Sequence, residues 1–183
     1  MYWPSERELN ELDMSGILTC LPETETEFRG YVNSFAGREH YRLLKWLSDS
    51  TFQSQIVEIG VYKGCSGVAL SQNPANNVIG FDLINNVTCT LPNNYKLIFD
   101  DYRNYTDIIK NSNFIFYDTN HDGVLETQFI EYIKKIKYKG LVIFDDIYLN
   151  NQMISFWREM NYSFPCMDLT RIGHCTGTGV IWV

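Results

Sequence analysis

This 183-residue sequence predicts a doubly wound α/β fold with a central, mostly parallel seven-stranded sheet, and three observations support that reading. From Gln55 onward, apolar β runs alternate with helical stretches, the pattern of parallel strands joined by crossover helices. One run, Ile56-Val57-Glu58-Ile59, ends in a glycine turn that opens a helix, and the next, Val78-Ile79-Gly80-Phe81, ends in Asp82, eighteen residues past Gly64. The last two runs, 166–173 and 177–183, are separated only by His174-Cys175-Thr176, so the sheet should close on an antiparallel hairpin.

The elements follow in order. Residues 5–48 read as a helical cap: Glu6 to Leu12 is a short amphipathic piece, and Glu39 to Leu47 sets Tyr41, Leu44 and Leu47 on one face. Strands are predicted at 56–62, 78–83, 95–99, 114–119 and 141–147, with helices at 64–72, 102–110, 123–137 and 150–160. A hydrophobic content of 45% in a chain of this length suits one domain, residues 1–183, with a cap over 1–50 and a cofactor-binding core over 55–183. The chain ends on a strand with no tail, which suits a domain of a longer polypeptide.

Composition narrows the partners. A net charge of −7 with no block of Lys or Arg argues against nucleic acid, whose phosphates demand cations. The start, Met-Tyr-Trp-Pro-Ser-Glu, is no basic-apolar leader, and no run of about 18 apolar residues follows, so a soluble cytoplasmic protein without membrane insertion is expected. Five scattered cysteines without a C-x-x-C pair suggest reduced thiols, neither a disulfide framework nor a zinc site.

The glycine turn narrows the cofactor. In G-x-G-x-x-G the middle glycine lets the backbone touch a pyrophosphate, and here Tyr62 stands at that position. A nucleoside cofactor without pyrophosphate fits, and S-adenosylmethionine is one: Glu58 and Asp82 would supply acids, and Gly60, Tyr62, Lys63, Gly64 and Ser66 the close backbone. These residues resemble the first motif of the class I S-adenosylmethionine-dependent methyltransferases, roughly acidic-x-G-x-x-x-G. Alternatives are an NAD(P)-dependent oxidoreductase, against which Tyr62 and the terminal hairpin count, a non-catalytic nucleotide-binding module, and a plain strand-turn-helix with packing glycines.

Ligands of open α/β sheets bind at the carboxyl ends of the strands, and here those ends are acidic: Asp82, Asp100-Asp101, Asp118 and Asp145-Asp146. Two carboxylates about 4 Å apart repel by roughly 4 kcal/mol at an effective dielectric near 20, so a cluster calls for a cation. In the usual methyltransferase strand order Asp118, Asp145 and Asp146 converge, and oxygen donors suit Mg²⁺, Mn²⁺ or Ca²⁺ rather than zinc. Alternatively, Asp146 caps the next helix and Asp118 binds loop amides. Asp100 or Asp101 would lie beside the adenine, with helix capping open to Asp101. His121, three residues past Asp118, is the candidate base for a substrate hydroxyl, the alternative being an ordinary loop histidine. His40 is expected to pack or hydrogen-bond in the cap, and His174 to sit at the hairpin tip facing substrate.

The Asp118-to-His121 spacing, the run Lys139-Gly140-Leu141-Val142-Ile143-Phe144-Asp145-Asp146 and Phe156-Trp157 resemble the metal-dependent O-methyltransferases of the macrocin and cephalosporin-hydroxylase-like group, over residues 39–183. The resemblance implies Asp118, Asp145 and Asp146 as ligands of Mg²⁺ or Mn²⁺, Asp118 also beside the cofactor, and His121 as base. Some relatives place an acidic base two residues after the first metal ligand, where this chain has Asn120. The closing segment, Asp168 to Val180, resembles methyltransferase domains attached to glycosyltransferases, including one of the large algal viruses that methylates a rhamnose. That likeness implies a sugar hydroxyl or glycan acceptor, fusion to glycosyltransferase domains and, for a viral protein, the host cytoplasm. Tyr31, Trp157 and His174 are the candidate substrate contacts.

Overall fold

The computed structural model describes residues 2–183. Its centre is a seven-stranded sheet in the order β3-β2-β1-β4-β5-β7-β6. The strands are β1 (Gln55–Ile59), β2 (Asn77–Asp82), β3 (Tyr95–Phe99), β4 (Phe114–Tyr117), β5 (Leu141–Asp145), β6 (Cys166–Asp168) and β7 (Thr178–Trp182). The first five are mutually parallel, and β7 runs antiparallel between β5 and β6, as the terminal hairpin predicts.

Strand periodicity assigns each side chain to one of two cores. Ile56, Phe114, Phe116, Leu141, Ile143 and Val180 face one layer; Val57, Ile115, Tyr117, Val142, Phe144 and Ile181 face the other. Full burial of each such large side chain contributes roughly 1.5–3 kcal/mol. The first layer holds the cap, α1 (Glu6–Asn10), α2 (Ser15–Leu18), α3 (Thr26–Asn33) and α4 (Tyr41–Asp49), together with α5 (Cys65–Leu70). The second holds α6 (Thr106–Lys110), α7 (Val124–Lys135) and α8 (Asn151–Ser163). In α4 the predicted face is the buried one, with Tyr41, Leu43, Leu44 and Leu47 inside.

Strands β1, β4 and β5 end two or three residues before the expected limits, and three elements differ more. The cap is four short helices separated by turns. The helix expected over 102–110 is broken at Tyr105: Asp101 caps a single 3₁₀ turn at Tyr102–Asn104 by accepting from Arg103 N (2.9 Å), and α6 starts only at Thr106. The run 166–173 is a strand only to Asp168, whose side chain accepts from Thr170 N (2.8 Å) and bends the chain into a turn closed by Gly173 N to Leu169 O (2.8 Å). Short polar side chains that bond nearby backbone compete with the regular ladder at both places.

All five cysteines are free thiols, with the Cys65 and Cys89 sulfurs 3.3 Å apart in the interior. No helix among the described residues is long and apolar enough to cross a membrane.

Candidate functional site

A cavity of about 620 Å³ opens along the carboxyl ends of β1, β2, β3 and β4, within the range of small-molecule sites. At one end lie Asp82, Leu83, Ile84, Asp100, Asp101 and Arg103; at the other, His40, Tyr41, Asp118, Asn120 and His121. The glycine turn forms the floor between them. Gly60 sits at φ +87°, and a Cβ there would come within 1.7 Å of the Asp118 carbonyl oxygen. Only glycine lets β1 and β4 approach this closely at the point where both chains leave the sheet.

Asp82 organises that floor. Its Oδ2 accepts from Val61 N (2.9 Å) and Tyr62 N (3.0 Å), and its Oδ1 from Ile84 N (3.1 Å). Burial alone would raise its pKa, but these backbone donors hold it below the ordinary value, so it is an anion. A carboxylate offers about four lone-pair positions, so Asp82 can still accept from a ligand hydroxyl. Tyr62 carries φ +46°, and its exposed ring stands by Phe28 of α3 with centroids 6.2 Å apart. Lys63 reaches back to Glu25 at 3.3 Å, tying the turn to the cap.

Glu58, the first acid of the motif, lies beneath the floor. It is fully buried and outside the cavity lining, and its carboxylate is held by the Ser66 hydroxyl and by Tyr95 Oη at 2.5 Å. Gly80 makes room for that tyrosine, since a Cβ at position 80 would collide with its hydroxyl. Burial pushes the Glu58 pKa up to about 7 against the pull of both hydroxyls. Gly64 also lies behind the lining, in the left-handed conformation that starts α5, whereas Ser66 reaches the cavity.

At the far end all three histidines of the chain meet four carboxylates. His121 Nε2 lies 3.1 Å from Asp118 Oδ1 and 3.3 Å from Asp146 Oδ2. His174 Nδ1 is 3.2 Å from Asp145 Oδ2 and 3.1 Å from Asp146 Oδ1, with Glu39 3.5 Å from its other nitrogen. His40 Nδ1 approaches Asp145 Oδ2 to 2.9 Å. Thr176 and Thr178 donate hydroxyls to Asp146 and Asp145.

Burial opposes charge on all three rings, yet the carboxylates prevail. They lift the pKa of His40 to about 9 and of His174 to about 11, and raise that of His121 through Asp118. Asp145 is correspondingly held far below the carboxylate range despite burial, by His40 and His174, while burial raises Asp118. The donors suit a cation. One oxygen or nitrogen each from His40, Asp118 and Asp145 falls within 4.8 Å of the others, and so does the set Asp145, Asp146 and His174. Among the described residues Asp145 is common to these two sets, while Asp118 and Asp146 fall in different ones, with His121 between them.

Not every expected residue faces this space. Gly60, Tyr62, Lys63, Ser66, Asp82, Asp100, Asp101, Asp118 and His121 line the cavity; Asp145, Asp146 and His174 stand at its acidic end. Asp101 also caps the 3₁₀ turn and pairs with Arg103, while Asp100 accepts from Tyr105 Oη at 3.1 Å. Trp157 is buried in the core over Gly179, away from the cavity, because the missing Cβ at 179 is the space its ring fills. Tyr31 bonds Glu27 at 2.5 Å and meets Phe28 edge-on, one residue removed from the lining. Glu39 and Phe28 are not among the sequence-predicted site residues, and His40, expected to pack or hydrogen-bond in the cap, reaches Asp145 instead; the acid-histidine pair 39–40 just ahead of an amphipathic helix is the one local hint.

No family model and no curated protein matches the sequence. The fold does match solved structures. PaMTH1, an SAH-bound methyltransferase of Podospora anserina, superposes with a TM-score of 0.59 at 15% identity, covering 98% of this chain and 88% of that one. An O-methyltransferase of Bacillus cereus in complex with SAH gives 0.53 at 15% identity, over 98% and 92%. Cofactor-bound Rv0187 from MTB gives 0.56 at 13% identity, over 78% of each chain. The fold is therefore that of the class I methyltransferases, a Rossmann-like sheet with its antiparallel C-terminal hairpin.

Proposed function

We propose that the protein is an S-adenosylmethionine-dependent O-methyltransferase that acts on a sugar hydroxyl, assisted by a divalent cation. One observation carries the reading: a single cavity joins an anionic Asp82 fixed by a glycine turn to an acid-histidine cluster where a hydroxyl proton would leave. Two of the structural neighbours bind S-adenosylhomocysteine, which supports the cofactor. A dinucleotide oxidoreductase is disfavoured by Tyr62 at the pyrophosphate position and by the antiparallel β7, since dinucleotide sheets run parallel in the order 3-2-1-4-5-6.

Asp82 would accept from the ribose hydroxyls, Asp100 and Asp101 would flank the adenine end, and Gly60 to Lys63 with Ser66 would border the methionine tail. Asp118, Asp145 and Asp146 would hold the cation, which when bound lowers the pKa of an alcohol on it. His121 is the base. Facing both Asp118 and Asp146 it favours its protonated form, and a cation held by those carboxylates would lower its pKa and leave it able to accept a proton. In-line transfer of a methyl group from sulfonium to oxygen would draw much of its rate from holding both reactants in this one cavity. The rhamnose-like acceptor and fusion to glycosyltransferase domains rest on the closing segment, Asp168 to Val180.

Thermal shift with S-adenosylhomocysteine against NAD⁺, followed by labelled-methyl transfer to rhamnosides with and without chelator, tests this. Stabilisation by S-adenosylhomocysteine and chelator-sensitive transfer are expected. Stabilisation by NAD⁺ alone would end the methyltransferase reading.

A further inference from the structure

Resting on the cation reading above, we infer that His40 is a metal ligand alongside Asp118 and Asp145, which makes this a mixed imidazole-carboxylate site that prefers Mn²⁺ and other first-row transition ions to Mg²⁺.

His40 Nδ1 is buried and lacks an aligned hydrogen-bond partner, although Asp145 Oδ2 is only 2.9 Å away. A buried nitrogen whose one close polar neighbour is misaligned for a hydrogen bond is rare in native interiors. The close but unaligned contact fits coordination. Two donors about 2.1 Å from a six-coordinate ion and at right angles lie about 3 Å apart. His40, Asp118 and Asp145 each offer an atom within 4.8 Å of the others, so one ion can reach all three.

The ring is also set in place. It packs against Tyr41, Phe116 and His174 with centroids 4.6, 5.2 and 5.7 Å away. Such packing fixes the rotamer of a ligand before the ion arrives. The consequence is selectivity: carboxylates alone suit Mg²⁺, whereas an imidazole donor shifts preference along the transition series. His40 precedes α4, so the cap as well as the sheet would build the metal site.

Pulsed EPR of the Mn²⁺-loaded protein reads directly coordinated ¹⁴N, and calorimetry compares Mn²⁺ with Mg²⁺. The wild type should show nitrogen coupling and bind Mn²⁺ at least about tenfold tighter. His40→Gln, with cooperative melting checked, should lose the coupling and most of that preference. Should this variant fail to fold, the double variant His121→Gln/His174→Gln serves instead: it should keep the coupling, with His40 the one histidine left of three. Loss of coupling in the double variant would assign the nitrogen to His121 or His174, and Mn²⁺ bound without any nitrogen coupling would leave an all-carboxylate site; either result overturns the inference. If S-adenosylhomocysteine binds but neither ion does, the cation reading falls and this inference with it.

Discussion

The two ends of the cavity are built on different principles. At the Asp82 end the anion is met by backbone N–H groups of Val61, Tyr62 and Ile84, from the turn after the adjacent strand β1 and from the residues just past Asp82. At the other end charge is met by side chains alone, drawn from the residue before α4, the loop after β4, the end of β5 and the residue after it, and the turn before β7. The first arrangement is complete without ligand. The second packs four carboxylates against three imidazoles, a balance that an incoming cation would reset.

The sharpest way to separate the two ends is to damage one and read the other. Removing His121 should lower kcat by about 10²- to 10⁴-fold, the range for a general base, while S-adenosylhomocysteine affinity stays within about twofold. Single-turnover kinetics and calorimetry on His121→Ala check this, and near-wild-type kcat would remove His121 from the chemistry. Gly60→Ala tests whether the ends share a hinge, because a Cβ there meets the Asp118 carbonyl. It should cost on the order of 3 to 4 kcal/mol in denaturant unfolding; a loss under about 1 kcal/mol would show that the β1 and β4 ends separate freely.

Glu58 sharpens the comparison differently, since it supports the floor from below. Its folded pKa near 7 stands above the unfolded value of 4.5, so the folded state holds the proton more tightly. Stability should thus be highest below about pH 4.5 for this group and fall as pH rises toward 7, levelling off above. Glu58→Gln should remove that loss, gaining on the order of 3 kcal/mol at pH 8. Denaturant melts from pH 4 to 8 read it, and parallel profiles for variant and wild type would mean that Glu58 ionises freely. The smallest effect expected is at Asp82→Asn, which keeps an acceptor but loses the charge: S-adenosylhomocysteine should bind about tenfold more weakly, with kcat little changed. Equal affinity by calorimetry would show that Asp82 only shapes the turn.

How legible each end was follows from how it is built. The glycine turn and Asp82 are one strand-turn-helix-strand segment, so their order along the chain is also their order in space. The acid ends of β4 and β5 were legible for the same reason, because a strand's last residue lies at the sheet's carboxyl edge whatever surrounds it. Glu58 was misplaced by that logic: its position in the motif suggests a ligand contact, whereas strand alternation turns it toward α5 and Tyr95. Trp157 likewise depended on Gly179, a residue with no sequence relation to it.

By itself, then, the sequence determined the alternating core, the parallel sheet with its reversed last strand, the glycine turn and the acidic edge. All of these follow from local periodicity and from backbone geometry that glycine alone permits. Tertiary structure decided the rest. Bringing His40 from the cap and His174 from the terminal turn onto Asp145 requires the cap to fold back across the sheet and β7 to insert beside β5. Long-range packing sets those two contacts, and no short window of sequence encodes where two such distant imidazoles will meet.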